Sequence, residues 1–252
     1  MPSGSLATPL WTATQAACHA RGQALSDYRE RLIPAIRAAV GEATSLVDVG
    51  AGTGEVGAAL IGPAGLWIAV EPNAFMARRI AHAMAMRAGP GYILRETWSE
   101  LAARDRLLGE VVLCAHVPGQ CEDVAGCWRA TARHARRALC WVVSAEAGPR
   151  RHALSTVLPP EGCETPGHAL VIAATRALAP APQVTLIDWT SRYAFADQEE
   201  AERFFVEHDP SLAEPRRRRA LGRRLFTQGR SAADGFLVAA PRQSAVLTWQ
   251  FE

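Results

Sequence analysis

A glycine-rich run at residues 47–54, V-D-V-G-A-G-T-G, has the residue types and spacing of a cofactor-binding turn. Gly50, Gly52 and Gly54 let the backbone turn tightly and approach a ligand, because they carry no Cβ. A dinucleotide site prefers G-x-G-x-x-G, and Glu55 occupies the position of its third glycine. A pyrophosphate would meet that carboxylate beside the helix N-terminus. The spacing therefore disfavours a nicotinamide-dependent oxidoreductase, which remains the alternative enzyme class.

Two features of the composition exclude other chemistry. The chain contains no lysine, which removes a Walker P-loop, a pyridoxal-phosphate Schiff base and any lysine nucleophile. Its six cysteines form no C-x-x-C pair and no Cys/His zinc spacing. We therefore expect no metal site.

The elements around the turn follow from the hydrophobic pattern. Short apolar runs alternate with helix-like segments up to residue 145, which is typical of a parallel sheet covered by helices on both faces. The five candidate strands are residues 46–50, 66–70, 92–95, 110–116 and 139–145. Two further strand-like runs, 235–240 and 244–251, flank a proline-containing tripeptide and predict a terminal antiparallel hairpin.

The turn resembles the first motif of the class I S-adenosylmethionine (SAM)-dependent methyltransferases, often written (V/L/I)-(D/E)-(V/L/I)-G-x-G-x-G. Residues 47–54 match all eight of its positions. The resemblance implies an α/β, three-layer Rossmann-like fold. Its sheet would be mostly parallel and seven-stranded, with a C-terminal antiparallel strand or hairpin. SAM would be the cofactor and S-adenosylhomocysteine the product.

The resemblance also assigns roles to the residues of the turn. Asp48 matches the acidic residue that orients the amino-acid portion of SAM, directly or through water. The methionine moiety of SAM would lie over the backbone of Gly50, Ala51, Gly52 and Gly54.

A second acidic residue strengthens the resemblance. Glu71 lies 21 residues after Gly50, in A-V-E-P-N-A-F-M. It matches the acidic residue that, in the family, binds both ribose hydroxyls. Two carboxylate oxygens suit a vicinal diol. The stretch from Pro72 through Met76 resembles the part of the family that lies beside the adenine.

Later strand ends supply candidates closer to the methyl acceptor. Thr97 and Trp98 match positions where the family contacts the adenine amino group and ring. His116 ends the fourth candidate strand, where it could contact the cofactor, act as a general base or hold a substrate oxygen or nitrogen. Trp11 and Tyr28, in the leading helices, could line the substrate pocket or cover the cationic sulfonium. Plain packing is the alternative for each aromatic residue.

The domain organisation follows from composition. We expect residues 1–45 to form a helical cap over the cofactor site and residues 46–252 to form the methyltransferase domain. Residues 146–167 contain four prolines and three glycines, which predicts a substrate-side insertion.

The most economical function is methyl transfer from SAM to a small-molecule acceptor by in-line displacement. The net charge is only +2, and no apolar run is long enough for a membrane span. We therefore expect a cytoplasmic protein with no membrane or nucleic-acid partner; whether it is a monomer or a homodimer stays open. Two alternatives remain: an RNA or protein methyltransferase that docks through the arginines of 216–224, and a non-catalytic SAM-binding regulatory or assembly protein.

Overall fold

The computed structural model describes residues 12–146, 165–232 and 235–251. Its helices are α1 (Ala13–Leu25), α2 (Tyr28–Val40), α3 (Glu55–Leu60), α4 (Ala74–Ala85), α5 (Trp98–Leu101), α6 (Val124–Ala132), α7 (Gly167–Thr175), α8 (Gln198–His208) and α9 (Pro215–Gln228). The strands are β1 (Ala43–Val49), β2 (Ile61–Val70), β3 (Gly91–Leu94), β4 (Gly109–Ala115), β5 (Ala135–Ser144), β6 (Gln183–Phe195), β7 (Gly229–Ala232) and β8 (Gly235–Gln250). A 3-10 turn, Pro210–Ala213, lies between α8 and α9.

The strands form one mixed sheet. Its order is β3-β2-β1-β4-β5-β8-β6, and short β7 pairs with β8. Neighbours among β1 to β5 are parallel, whereas β8 runs antiparallel to β5, β6 and β7. A hydrophobic core lies on each face, one closed by α2 and the other by α6 and α7. The predicted layered α/β fold is confirmed, and β7 brings the described sheet to eight strands rather than seven.

The predicted C-terminal antiparallel strand is confirmed, whereas its alternative, a terminal hairpin, is wrong. Residues 235–250 form the single strand β8, which continues through Pro241. Pro241 pairs with Thr190 of β6, at a point where the pairing with β7 has ended and the pairing with β5 has not begun. Because β8 has a neighbour on only one side there within the described residues, the missing proline N–H does not interrupt a second ladder. The antiparallel partners of β8 are therefore distant strands, and the tail does not fold back on itself.

A small lobe stands beyond the carboxyl edge of the parallel strands. β5 pairs with β8 only up to Ser144, opposite Ser244, so residues 235–243 of β8 and their β6 partners extend past this edge. Helices α1, α8 and α9 pack on the extension around a separate core, here called the cap lobe. Its buried members include Cys18, Tyr193, Phe195, Phe205, Leu221, Leu225, Phe236 and Val238.

The two leading helices pack against different parts of the molecule. Helix α1 meets the extension of β6, where Gly22 allows close approach, because a Cβ there would lie 2.9 Å from the carbonyl oxygen of Arg192. Helix α2 covers the sheet with Leu32 and Ile36. The predicted boundary after residue 45 stays a prediction, and most of the predicted 146–167 insertion lies outside the described residues. Among those residues, no helix combines the length and apolar character that a membrane crossing requires.

Candidate functional site

The glycine turn has the backbone that its sequence predicts. Gly50, Gly52 and Gly54 have positive φ values of 66°, 58° and 79°, a conformation that residues with a Cβ adopt at a cost. A Cβ on Gly50 would lie 2.8 Å from a methyl group of Val117, and one on Gly54 would lie 2.9 Å from the Trp67 ring. At Gly52, the nearest atom is the Gly50 carbonyl oxygen, 3.9 Å away. The turn is therefore packed at both ends and open in the middle.

Glu71 closes the turn from the neighbouring strand. Val49 and Val70 are paired in the parallel β1–β2 ladder, so the residues that follow each strand lie side by side. Glu71 Oε2 accepts a hydrogen bond from the Gly52 N–H at 2.9 Å, and Oε1 accepts one from the Asn73 N–H at 2.8 Å. Burial raises the pKa of Glu71, and these N–H groups together with the Arg95 charge lower it in part. The structure thus brings together two predicted parts of the site, the turn and the second acid.

Asp48 lies beneath the turn, inside the protein. It is 3% exposed, and a Cβ on Gly57 of α3 would lie 2.1 Å from its Oδ2 atom. Within the described residues this oxygen has no hydrogen-bond partner of normal geometry. Burial raises the pKa of Asp48 to about 7, the Trp67 indole nearby lowers it in part, and the Glu71 charge raises it further. The carboxylate faces α3, and its role toward a cofactor stays a prediction.

The stretch after Glu71 starts helix α4. Asn73 caps the helix by accepting hydrogen bonds from the N–H groups of Phe75 and Met76. Met76 is buried, whereas Pro72 is half-buried and its carbonyl oxygen accepts a hydrogen bond from Arg95 at 2.6 Å. Ala51 is half-buried in the turn, and its N–H donates to the Val70 carbonyl at 3.2 Å. Contact of these residues with a cofactor stays a prediction.

Thr97 and Trp98 have structural contacts that the sequence analysis did not assign. The Thr97 side chain accepts a hydrogen bond from the Glu100 N–H and forms a capping box at the start of α5. The Trp98 indole donates to the Pro118 carbonyl oxygen at 3.1 Å, which ties α5 to the loop after β4. Their predicted adenine contacts are untested by this geometry.

His116 follows β4 in a conformation rare for a residue with a side chain, with a φ of 53°. Its Nε2 atom lies 3.1 Å from Ser244 Oγ, which also accepts a hydrogen bond from the Trp189 indole at 3.0 Å. Burial, and then the charges of Arg242 and His19, lower the pKa of His116 to about 3. The imidazole is therefore neutral at physiological pH, which suits it to hydrogen bonding and makes it a weak proton acceptor.

Tyr28 joins the same cluster, whereas Trp11 lies outside the described residues. The Tyr28 ring centre is 5.8 Å from that of His116 and 4.8 Å from that of Trp189. Burial raises the pKa of Tyr28 far above its ordinary value, so the phenol stays protonated. Ser244 was not among the residues predicted from the sequence, and it lies 128 residues from His116. No local pattern could have found that pair.

The described part of the chain contains no set of ligands for a metal ion. There, no group of three or more His, Cys, Asp and Glu side chains is arranged to hold a metal ion.

No family model and no curated protein matches the sequence. The structure is similar to a protein of Bacillus halodurans provisionally assigned as a methyltransferase, with 12% identity, 87% of this chain and 96% of that chain covered and a TM-score of 0.51. It is similar to the YcgJ protein of Bacillus subtilis, with 12% identity, coverage of 86% and 97% and a TM-score of 0.52. A third similar structure concerns conversion of a disulfide bond into a thioacetal group in echinomycin biosynthesis, with 9% identity, coverage of 88% and 81% and a TM-score of 0.51. These similarities establish the fold, which is the Rossmann-like fold of the class I methyltransferases.

Proposed function

We propose that this chain is a SAM-dependent methyltransferase that acts on a small-molecule acceptor. The observation that carries the proposal is the joint geometry of Glu71 and Gly52. A buried carboxylate at the end of β2 bonds the central N–H of a glycine turn whose middle position opens onto space.

The residues present suit SAM in particular. Each oxygen of Glu71 accepts one N–H bond and has a further lone pair for a ribose hydroxyl. A cofactor without phosphate avoids the repulsion that Glu55, in the first turn of α3, would exert on a pyrophosphate. Gly50, Gly52 and Gly54 would hold the methionine end, and Asp48 beneath them would complete the polar surroundings.

Bound SAM supplies a methyl group already activated by its positive sulfur, so the protein contributes mainly alignment and exclusion of water. His116 stands at the carboxyl end of β4, beside the site. As a neutral imidazole it would orient an acceptor by a hydrogen bond and would remove a proton only weakly. The low pKa of His116 thus favours a role in holding the acceptor over a role in removing its proton.

The cap lobe supports a small acceptor. It stands over the carboxyl edge of the parallel strands, where it would enclose a small molecule and limit access for a folded macromolecule. The arginines of α9 are mostly exposed, and Arg218 faces Glu202 at 3.7 Å. A solvated helix face accounts for them. A cytoplasmic location and the oligomeric state remain predictions.

Calorimetry with S-adenosylhomocysteine tests the cofactor. We expect binding by the intact chain and at least about a tenfold loss in Glu71→Gln, because a charge-assisted bond to a hydroxyl is worth about 1.5–3 kcal/mol. Glu42→Gln is the matched control, since Glu42 is exposed and precedes β1 at the opposite end of the strand. The proposal would be contradicted if the intact chain did not bind S-adenosylhomocysteine, or if Glu71→Gln and Glu42→Gln bound it equally well.

The two alternatives have distinct signatures. RNA affinity that falls steeply with salt would favour docking through α9. SAM binding without turnover on a broad acceptor panel would favour a non-catalytic role.

A further inference from the structure

An open cavity lies between the start of α2 and the β6–β8 ribbon, and no residue of the glycine turn lines it. Its volume is about 390 Å3, within the range of small-molecule sites of roughly 300–1,000 Å3. The walls come from the start of α2, from the middle of β6 and β8, and from the end of β5. They are formed by Asp27, Arg31, Glu146, Asp188, Trp189, Thr190, Pro241, Arg242 and Gln243.

The cavity adjoins the His116 cluster. Trp189 lines the cavity and donates its indole N–H to Ser244 Oγ, the same oxygen that lies 3.1 Å from His116 Nε2. A single shared hydroxyl therefore connects the cavity wall to the residue at the end of β4. The cavity wall is thus tied to the residue that we propose holds the acceptor.

One ion pair within the wall neutralises itself. Arg242 is 6% exposed, and its Nε lies 2.9 Å from Glu146 Oε2. The guanidinium also lies over the Trp189 ring, 5.8 Å from its centre. Glu146 Oε1 accepts a further hydrogen bond from the Gln243 N–H. This pair adds rigidity to the wall and no net charge.

Among the described residues, the remaining charged groups of the wall leave an excess of negative charge. Asp27 Oδ1 accepts a hydrogen bond from the Thr190 N–H, and Asp188 Oδ1 accepts one from Gln243 Nε2 at 2.8 Å. Arg31 is mostly exposed and lies 3.9 Å from Asp27 Oδ2. In the described ranges, Asp188 forms no ion pair within 4.0 Å. In the wall as described, Asp27 and Asp188 thus contribute two negative charges and Arg31 contributes one positive charge.

We propose that this cavity receives the methyl acceptor and selects a small molecule that carries a protonated amine. The proposal rests on the proposed function and gives its acceptor a chemical class. The ammonium donates to the remaining oxygens of Asp27 and Asp188. Because a protonated nitrogen has no lone pair, the amine is the anchor, and a different atom of the same molecule accepts the methyl group.

Three probes that share one phenol scaffold isolate the effect of the ligand's charge on binding. Tyramine is cationic, 4-ethylphenol is neutral and 3-(4-hydroxyphenyl)propionate is anionic. Each is titrated into the full chain saturated with S-adenosylhomocysteine. We expect tyramine to bind at least about tenfold more tightly than the other two, since two partly exposed ion pairs of up to about 1 kcal/mol each supply that ratio.

Two isosteric variants locate the selectivity. Asp27→Asn and Asp188→Asn keep an oxygen for the Thr190 N–H and for Gln243, and each should reduce the tyramine preference about threefold or more. Asp105→Asn, at an exposed aspartate outside the cavity, should leave it unchanged. A thermal melt confirms folding, and exposed Asp188 gives a second, milder variant if Asp27→Asn unfolds.

The outcomes separate the two proposals. Equal binding of the three phenols, preference for the propionate, or no phenol binding by the saturated protein would overturn the amine proposal and leave the cofactor assignment standing. Failure of S-adenosylhomocysteine to bind the intact chain would instead overturn the proposed function.

Discussion

Asp48→Asn tests whether the charge of the buried carboxylate beneath the glycine turn opposes folding. The side chain is 3% exposed, and burial raises its pKa from 3.8 to about 7. Asparagine has nearly the same size and no charge. At about 1.36 kcal/mol per pKa unit, the difference corresponds to roughly 4 kcal/mol, and relaxation around the site brings the expected gain to about 2–4 kcal/mol.

The pH dependence has a definite sign. Between about pH 4 and pH 7 the folded chain keeps a proton on Asp48 that the unfolded chain releases. The contribution of this group to stability is therefore fully present below about pH 4 and is lost as the pH rises through about 7. The Asp48→Asn variant does not titrate there, so its advantage over the parent chain should grow with pH.

Urea denaturation at pH 4.5 and pH 8.5 measures this difference. We expect the variant to be more stable by at most about 1 kcal/mol at pH 4.5, where Asp48 of the unfolded chain has begun to ionise, and by about 2–4 kcal/mol at pH 8.5. Asp105→Asn, which changes an exposed aspartate, should show no such trend. A difference independent of pH, or a variant less stable than the parent at pH 8.5, would refute the reasoning. A cost of this kind is common where a charged group serves function.

Two further substitutions test how the cap lobe and the His116 cluster are built. Gly22→Ala would place a Cβ 2.9 Å from the Arg192 carbonyl oxygen and 3.1 Å from the Tyr193 ring; we expect a loss of about 1–3 kcal/mol in urea denaturation and faster amide exchange in α1. Gly62→Ala, where a Cβ meets no atom within 4 Å, is its control, and equal losses in both would contradict the packing argument. Ser244→Ala removes the hydroxyl shared by His116 and Trp189 and should cost about 1–3 kcal/mol. Ser99→Ala, at an exposed position, should cost far less, and the same small effect at Ser244 would show that the shared hydroxyl contributes little.

Much of the cofactor half of the site could be predicted from the sequence. The positive φ values of Gly50, Gly52 and Gly54 follow from residue type and spacing, because glycine adopts them without a steric penalty. The alternation of apolar runs and helical segments predicted parallel strands, and parallel strands bring their carboxyl ends to one edge. Glu71 was therefore expected at the same edge as the turn, and the pairing of β1 with β2 places it beside Gly52.

Other local patterns were ambiguous. Residues 241–243 suggested a turn, yet Pro241 is accommodated within β8 because β6 is the single strand beside that stretch in the described part of the chain. Thr97 matched an adenine position and its side chain also caps α5, so the adenine contact stays a prediction. The continuation of β8 depends on the partners that the rest of the chain supplies, whereas the cap follows from the T-W-S-E pattern of residues 97–100, which is that of a capping box.

The sequence by itself determined the glycine turn, its acidic partner and the parallel layers, since these depend on backbone preference and on periodicity along neighbouring residues. Only the tertiary structure decided that Asp48 faces α3, that Ser244 joins His116 to Trp189, and that Asp27, Asp188 and Arg242 surround one cavity. These groups come from strands and helices far apart in the chain. Their proximity is set by packing and sheet order, which leave no trace in the spacing of residues.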